Sequence, residues 1–321
     1  MSATIIRISP YNRLANQMMQ LMFARTVQRL ARAPVAIEGY DLPEWQLSKP
    51  ASLPASQSVF PIGDGVTRAS TIASAIDRYR PKQIDLVHHV ARVGNLLPKI
   101  AYDDLFPLRN EDGISVGKDS LLIHIRAGDV AAYAHPLYGP LPIAYYRYLV
   151  DSTGLQPVFI GEIETSPHCD LLRSAFPNAV ILSGGSAHHD FQTIRRAHHI
   201  ALGVGTFSWL ASYLSDAQTI HLPIAGIFDP REAPDIDLLP TSDRRFRFHD
   251  IPTAVWKNRY SDFCADSAAF RPLSSWEVEM RRMAAMVRSA YRLGRVRFGM
   301  ERRLLRNALG NATSRLTSLR S

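Results

Sequence analysis

Residues 120–129 read Ser-Leu-Leu-Ile-His-Ile-Arg-Ala-Gly-Asp, an apolar run that ends at an arginine and a glycine. Further apolar runs of strand length occur at 157–161, 179–182, 200–204 and 218–222. Between them lie stretches of helical periodicity near 142–152, 167–176, 189–198 and 207–215. Strands that alternate with helices predict a parallel sheet with helices on its faces.

The N-terminal part of the chain shows a shorter form of the same alternation. Residues 4–8 alternate and are β-branched, which predicts a strand, and a helix is expected from about Arg13 to Arg32. Residues 35–37 are a candidate second strand, whereas 43–118 are rich in Pro, Ser and Asp and predict short helices and loops. We therefore expect an α/β domain over 1–115, a second over 116–250 and an extension over 251–321, helical and Arg-rich from about 274.

Composition excludes several classes of protein. The chain has 321 residues and only two cysteines, Cys169 and Cys264, which form neither a disulfide framework nor a zinc site. No run of about 18 apolar residues predicts a membrane span, and the N-terminus lacks the features of a signal peptide. These observations predict a cytoplasmic protein.

The positive charge is concentrated at the C-terminal end. Residues 273–321 contain eleven Arg and three Glu, and the acidic and basic residues of the remainder balance. A neutral body without a recognised nucleic-acid motif argues against a nucleic-acid partner.

The basic segment has the pattern of an amphipathic helix. An apolar stripe at helical spacing runs through Trp276, Met280, Met283, Val287 and Tyr291. Two interpretations remain open. The helix binds the inner face of a membrane peripherally, or it packs on the body of the protein with its Arg face in solvent.

Three segments carry candidate chemistry. Arg126 follows an apolar strand, where ligands of open parallel sheets bind, and its planar guanidinium suits phosphate; the alternative is a structural pair with Asp129. Thr206 and Ser208 follow a glycine turn at the start of a helix, which is either an anion site or a simple cap. Residues 12–18, Asn-Arg-Leu-Ala-Asn-Gln-Met, place polar amides at the first strand-to-helix junction.

Taken in order, these motifs resemble glycosyltransferase family 11, the α-1,2-fucosyltransferases, within a wider group that includes α-1,6- and protein O-fucosyltransferases. The resemblance runs from residue 4 to about 230. It rests on Asn12-Arg13-Leu14-x-Asn16-Gln17, His124-x-Arg126-x-Gly128-Asp129, Leu141-Pro142-x-x-Tyr145-Tyr146, Asp190 ahead of Ala197-His198-His199-Ile200, and Thr206-Phe207-Ser208-Trp209. The sequence departs from the family pattern at Ala127, where many relatives have a second Arg, and at Ala15 and Val204.

The resemblance implies two facing Rossmann-like domains of the GT-B type, with the acceptor on the N-terminal side. It implies that Arg126 binds the β-phosphate of a GDP-sugar donor, most simply GDP-fucose, and that His124 and Asp190 lie near the guanosine. Thr206, Phe207 and Ser208 match the helix terminus that binds the diphosphate. Asn12, Arg13, Asn16 and Gln17 match the family motif beside the cleft.

The expected reaction is an inverting transfer of a sugar, L-fucose in the simplest case, to a glycan hydroxyl, with α-1,2 a candidate linkage and a lipid-linked glycan a candidate acceptor. No metal is expected, since Arg126 and the helix terminus at 206–208 supply positive charge and no Asp-x-Asp pair is taken to be available. Asp129, His135 and Asp190 are candidates for the base, and Asp129 is equally a residue that orients Arg126. The competing hypothesis is a non-catalytic nucleotide- or glycan-binding relative that has kept the fold.

Overall fold

The chain forms two compact units, Met1–Pro107 with Met286–Ser321, and Leu108–Ala285. The computed structural model describes residues 3–10, 13–52, 61–62, 67–87, 90–109, 113–127, 137–163, 167–252, 270–288 and 302. These units divide the chain after residues 107 and 285, and the domain bounds 1–115, 116–250 and 251–321 stay a prediction.

The described strands of the first unit are β1 (Thr4–Ile8), β2 (Val35–Glu38), β3 (Tyr40–Leu42), β4 (Leu47–Lys49), β5 (Pro61–Ile62) and β6 (Gln83–Leu86). Four of them form a parallel sheet in the order β2-β1-β6-β5, and β3 and β4 form a separate hairpin. Helix α1 (Leu14–Leu30) buries Met18, Met22 and Val27 completely, which is why its apolar residues extend around much of its circumference. Helix α2 (Ala69–Tyr79) follows, with short 3₁₀ turns at Pro43–Trp45, Val93–Asn95 and Lys99–Tyr102.

The second unit contains a seven-stranded sheet. Its strands are β7 (Ser120–Ile125), β8 (Gln156–Gly161), β9 (Val180–Leu182), β10 (His199–Ala201), β11 (Thr219–Ile224), β12 (Phe246–Asp250) and β13 (Arg271–Leu273). They lie in the order β9-β8-β7-β10-β11-β12-β13, and all are parallel except β13, which runs antiparallel to β12. In chain order the six parallel strands follow the 3-2-1-4-5-6 arrangement of dinucleotide-binding sheets.

Helices connect these strands where the sequence predicts them. They are α3 (Ile143–Thr153), α4 (Pro167–Ala175), α5 (Ala187–Arg196) and α6 (Thr206–Tyr213). A last helix, α7, covers residues 275–288. The strand-to-helix alternation predicted for 120–222 is confirmed, and the α/β class with two separate parallel sheets is established by the pairing of the strands. Among the described residues no helix has the length and apolar character needed to cross a membrane.

Both faces of strand β7 are buried in the core of the second unit. Leu121, Leu122 and Ile123 of β7 are completely buried, as is Trp209. The indole Nε1 of Trp209 donates to the carbonyl oxygen of Leu238 at 2.7 Å, which satisfies its polar atom in the interior. Trp209 is therefore a core residue, as the sequence predicts.

Candidate functional site

The strand order of the second sheet reverses between β7 and β10. The chain leaves β7 toward β8 and β9 on one side, then returns to place β10 on the other side of β7. Ligands of open α/β sheets bind at the carboxyl ends of the strands at such a reversal, because the helices that follow them diverge and leave a crevice. Arg126 follows β7 at this position, and the turn 202–205 follows β10.

His124 fills the space between the ends of three adjacent strands. The residue is 5% exposed. A Cβ atom on Gly203 would lie 2.9 Å from its Nδ1, and one on Gly161 would lie 3.1 Å from its Nε2, so the two glycines make room for the ring. Burial, with the nearby charge of Arg126, lowers the pKa of His124 to about 3. The ring is therefore neutral at physiological pH, and it packs 5.6 Å from the ring of Phe207.

Arg126 forms an ion pair with Glu162, which directly follows β8. Their side chains are 18% and 31% exposed, so the pair lies at the surface of the crevice and not in the core. The backbone of Glu162 is fixed from both sides, because its N–H donates to the carbonyl of Ile125 at 3.0 Å and its carbonyl accepts from the Cys169 thiol at 3.7 Å. Glu162 is not among the site residues predicted from the sequence, although it follows an apolar strand just as Arg126 does.

Gly161 permits this approach of β8 to β7. Its φ is 111°, in the region that favours glycine, and a Cβ there would lie 2.5 Å from the carbonyl oxygen of Ile125. Any other residue would push Glu162 away from Arg126. The alternative partner considered from the sequence, Asp129, lies outside the described residues, as do Gly128 and the candidate base His135.

The turn after β10 ends at the N-terminus of α6. Gly205 is the N-cap, and no described side chain caps the helix. The N–H groups of the first helical turn have no partner within the helix, so they and the helix dipole favour an anion. Thr206 is partly exposed at this terminus. Ser208 is completely buried, and its hydroxyl donates to the carbonyl of Gly203 at 3.2 Å. The Ser208 hydroxyl therefore stabilises the turn, and the contact of Ser208 with the donor nucleotide stays a prediction.

An aromatic contact links this terminus to α5. The rings of Phe207 and Phe191 meet edge to face with their centres 5.5 Å apart. Asp190, next to Phe191, lies in the first turn of α5 with its Oδ1 3.7 Å from Nδ1 of His189. Burial raises the pKa of Asp190, and the contact with His189 opposes that rise. Phe207 therefore contacts both His124 and Phe191, the neighbour of Asp190 in the chain.

The polar motif of the first unit lies at the start of α1. Arg13 is the N-cap residue and is exposed, and its carbonyl accepts the N–H groups of Asn16 and Gln17 at 3.0 and 3.3 Å. The fully buried amide on this helix is that of Gln20, whose Nε2 donates to the carbonyl of Ser9 at 3.1 Å. Asn12 lies outside the described residues.

The expectation that no Asp-x-Asp pair is available is wrong. The chain does contain an Asp-x-Asp stretch, Asp235-Ile236-Asp237. Asp237 accepts two bonds from the guanidinium of Arg282, at 2.9 Å from Nε and 2.8 Å from Nη2, and so serves as an anchor for α7. Within the described ranges, no group of three or more His, Cys, Asp or Glu side chains could hold a metal ion.

No protein-family model matches the sequence, and no curated protein matches it. The structure is similar to that of E. coli ADP-heptose LPS heptosyltransferase II, with a TM-score of 0.40 and 12% identity over 89% of this chain and 99% of that one. It is also similar to a family 9 glycosyltransferase of Veillonella parvula, with a TM-score of 0.38 and 7% identity over 89% of this chain and 98% of that one. Neither carries the name of a fucosyltransferase, so the resemblance to family 11 stays a prediction, and similarity at this level supports no argument about activity.

Proposed function

We propose that the chain is a glycosyltransferase that moves a sugar from a nucleoside diphosphate to a glycan hydroxyl without a metal ion. One observation carries the proposal. The guanidinium of Arg126 and the N-terminus of α6, whose N-cap is Gly205, follow the two strands between which the order of a dinucleotide-type sheet reverses. A diphosphate is the ligand that both groups suit.

In this proposal Glu162 holds the guanidinium of Arg126 until the donor binds. The diphosphate then takes the place of the carboxylate on one edge of the guanidinium, and its other oxygens accept N–H groups of the α6 terminus. As the glycosidic bond breaks, negative charge develops on the leaving diphosphate, and these fixed positive groups stabilise it in the transition state. His124 and Phe207 act as positioning residues beneath them, since the imidazole is buried.

A single displacement by the acceptor hydroxyl inverts the anomeric carbon, and a base takes the hydroxyl proton. Asp129, His135 and Asp190 are the candidate bases, and the raised pKa of Asp190 suits a group that must accept a proton. Asp129 remains a proposed catalytic or orienting residue beside Arg126. For the donor we propose GDP-fucose, on the motifs at 124–129 and 206–209. We further propose a glycan acceptor at the cytoplasmic face of a membrane.

Thermal stabilisation by a panel of nucleoside diphosphates and their sugars tests the donor site without knowledge of the acceptor. We expect GDP and GDP-fucose to raise the melting temperature, and UDP-glucose and ADP-heptose to raise it less. Addition of EDTA should not change the result. Stabilisation by none of these ligands would refute the nucleotide site, and stabilisation by ADP-heptose above all others would refute the proposed donor.

The competing hypothesis, a binding protein without activity, predicts the same stabilisation. Release of GDP from GDP-fucose in the presence of a mixed glycan acceptor pool separates the two. Binding with no release of GDP above the rate of a heat-inactivated sample would favour the non-catalytic relative.

A further inference from the structure

Helix α7 exposes its apolar stripe to solvent, contrary to the interpretation that it packs on the body of the protein with its Arg face in solvent. The apolar stripe is exposed, with Trp276 at 70%, Met280 at 46%, Met283 at 53% and Val287 at 76%. At about 100° per residue these four side chains fall within an arc of roughly 60° on one side of the helix. An exposed stripe is what the peripheral membrane interpretation requires.

Two arginines hold the helix in this rotation. Arg281 donates to both oxygens of Asp250, at 2.8 and 2.7 Å, and Arg282 pairs in the same manner with Asp237. Between these two arginines around the helix lies Val278, which is completely buried. To turn the apolar stripe toward the body, the helix would have to break two bidentate ion pairs, each stronger than a simple contact of charges.

Helix α7 therefore contacts the body of the protein through its polar side, and its most apolar side remains exposed. The sequence that follows residue 288 carries the charge. Residues 289–321 contain eight Arg and a single acidic residue, Glu301. Apolar side chains led by Trp, next to a cluster of arginines, are the composition that favours an anionic lipid interface, where Trp lies among the headgroups and Arg pairs with lipid phosphates.

We propose that the exposed stripe of Trp276, Met280, Met283 and Val287 binds the surface of an anionic bilayer, with α7 parallel to the membrane plane and its Arg281–Arg282 side fixed to the protein. Arg281 and Arg282 are anchors of the helix in this arrangement and make no contact with lipid. The proposal is independent of the glycosyltransferase activity.

Sedimentation with vesicles tests the proposal on the full-length chain. The protein should sediment with vesicles that contain phosphatidylglycerol and remain in solution with pure phosphatidylcholine vesicles or at high salt. The triple variant Trp276→Gln, Met280→Gln, Met283→Gln should bind at least about tenfold more weakly, because it loses most of the apolar area of the stripe. A matched control, Val180→Gln with Ile100→Gln, removes exposed apolar residues elsewhere, at 54% and 76% exposure, and should bind as the wild type does.

Two further measurements distinguish the bilayer from other occupants of the stripe. The emission of Trp276, obtained as the difference from a Trp276→Phe variant, should shift to shorter wavelength on binding vesicles. The triple variant should keep the melting temperature and the oligomeric state of the wild type. A fall of several degrees would show that the chain itself covers the stripe, and a change of oligomeric state would show that a second copy does. Either result, or equal sedimentation of wild type and triple variant, would overturn the proposal.

Discussion

Replacement of Arg126 by Ala separates a phosphate ligand from a structural ion pair. The pair with Glu162 is partly exposed, at 18% and 31% for the two side chains, so its own contribution to stability is at most about 1 kcal/mol. The loss of a charge-assisted contact to the diphosphate should cost about 1.5–3 kcal/mol of binding, which weakens GDP binding roughly 10- to 150-fold. In the transition state, where charge develops, a loss of about 3–4 kcal/mol should slow transfer about 10²- to 10³-fold.

The partner of the ion pair supplies the matched variant. Glu162→Gln keeps the shape of the side chain and releases the guanidinium, so it should leave GDP affinity unchanged or raise it by up to about fivefold, the equivalent of about 1 kcal/mol. Arg126→Lys should restore little, because an ammonium lacks the planar fork of donors. Calorimetric titration of GDP, transfer rate and melting temperature are measured on the same samples. Equal losses of affinity in Arg126→Ala and Glu162→Gln, or wild-type affinity in Arg126→Ala, would refute the role given to Arg126.

Three other outcomes are expected. Gly203→Ala should lower stability by about 1–3 kcal/mol and impair GDP binding, since its Cβ would lie 2.8 Å from the carbonyl oxygen of His124. Gly205→Ala is the control, because there is open space around its Cβ, and it should keep the wild-type melting temperature. Equal effects of the two substitutions on the melting temperature would contradict this account. The rings of His221 and His249 share a hydrogen bond at 2.9 Å, and burial lowers the pKa of both below the value of about 6.5 expected in the unfolded chain. The unfolded state therefore binds more protons, and stability should fall as pH drops below about 6.5, by up to about 1.4 kcal/mol per pH unit for each extra proton bound. A melting temperature that stays constant between pH 6.5 and 4 would contradict this account. Transfer should persist in excess EDTA, and its loss with recovery on addition of manganese would disprove the metal-free mechanism.

The strands that the sequence predicts are those whose pattern is local and apolar. Runs such as 120–125 and 157–161 are buried on both faces, and a continuous apolar run is the expected signal for such strands. β6 was missed because Gln83 and Asp85 interrupt its short run, although both are buried and Gln83 donates to Asp85 at 2.7 Å. β12 was missed although Phe246 and Phe248 alternate with Arg247 and His249 as in a strand, because the run is short and follows the polar residues 241–245.

At the candidate site, too, the sequence predicts local features and not contacts between distant residues. Arg126 and Glu162 both follow apolar strands and carry the same local signal, but their ion pair becomes apparent only when β8 is placed beside β7. The orientation of α7 depends on Asp237 and Asp250, which precede their arginine partners by 45 and 31 residues. Helical periodicity gives the composition of each face, but the location of its partners is a property of the tertiary structure.

The carboxylate of Glu162 has a consequence for selectivity among anions. If Arg126 binds the donor, an incoming ligand must first displace a negative group that the protein itself supplies. Inorganic phosphate or sulfate offers little more to the guanidinium than Glu162 already does, so each gains little from the exchange. A nucleoside diphosphate also reaches the terminus of α6 and gains contacts that the internal carboxylate cannot make. The Glu162 carboxylate would thus compete with free anions for the guanidinium of Arg126, and it would reduce the binding of small anions that are abundant in the cell.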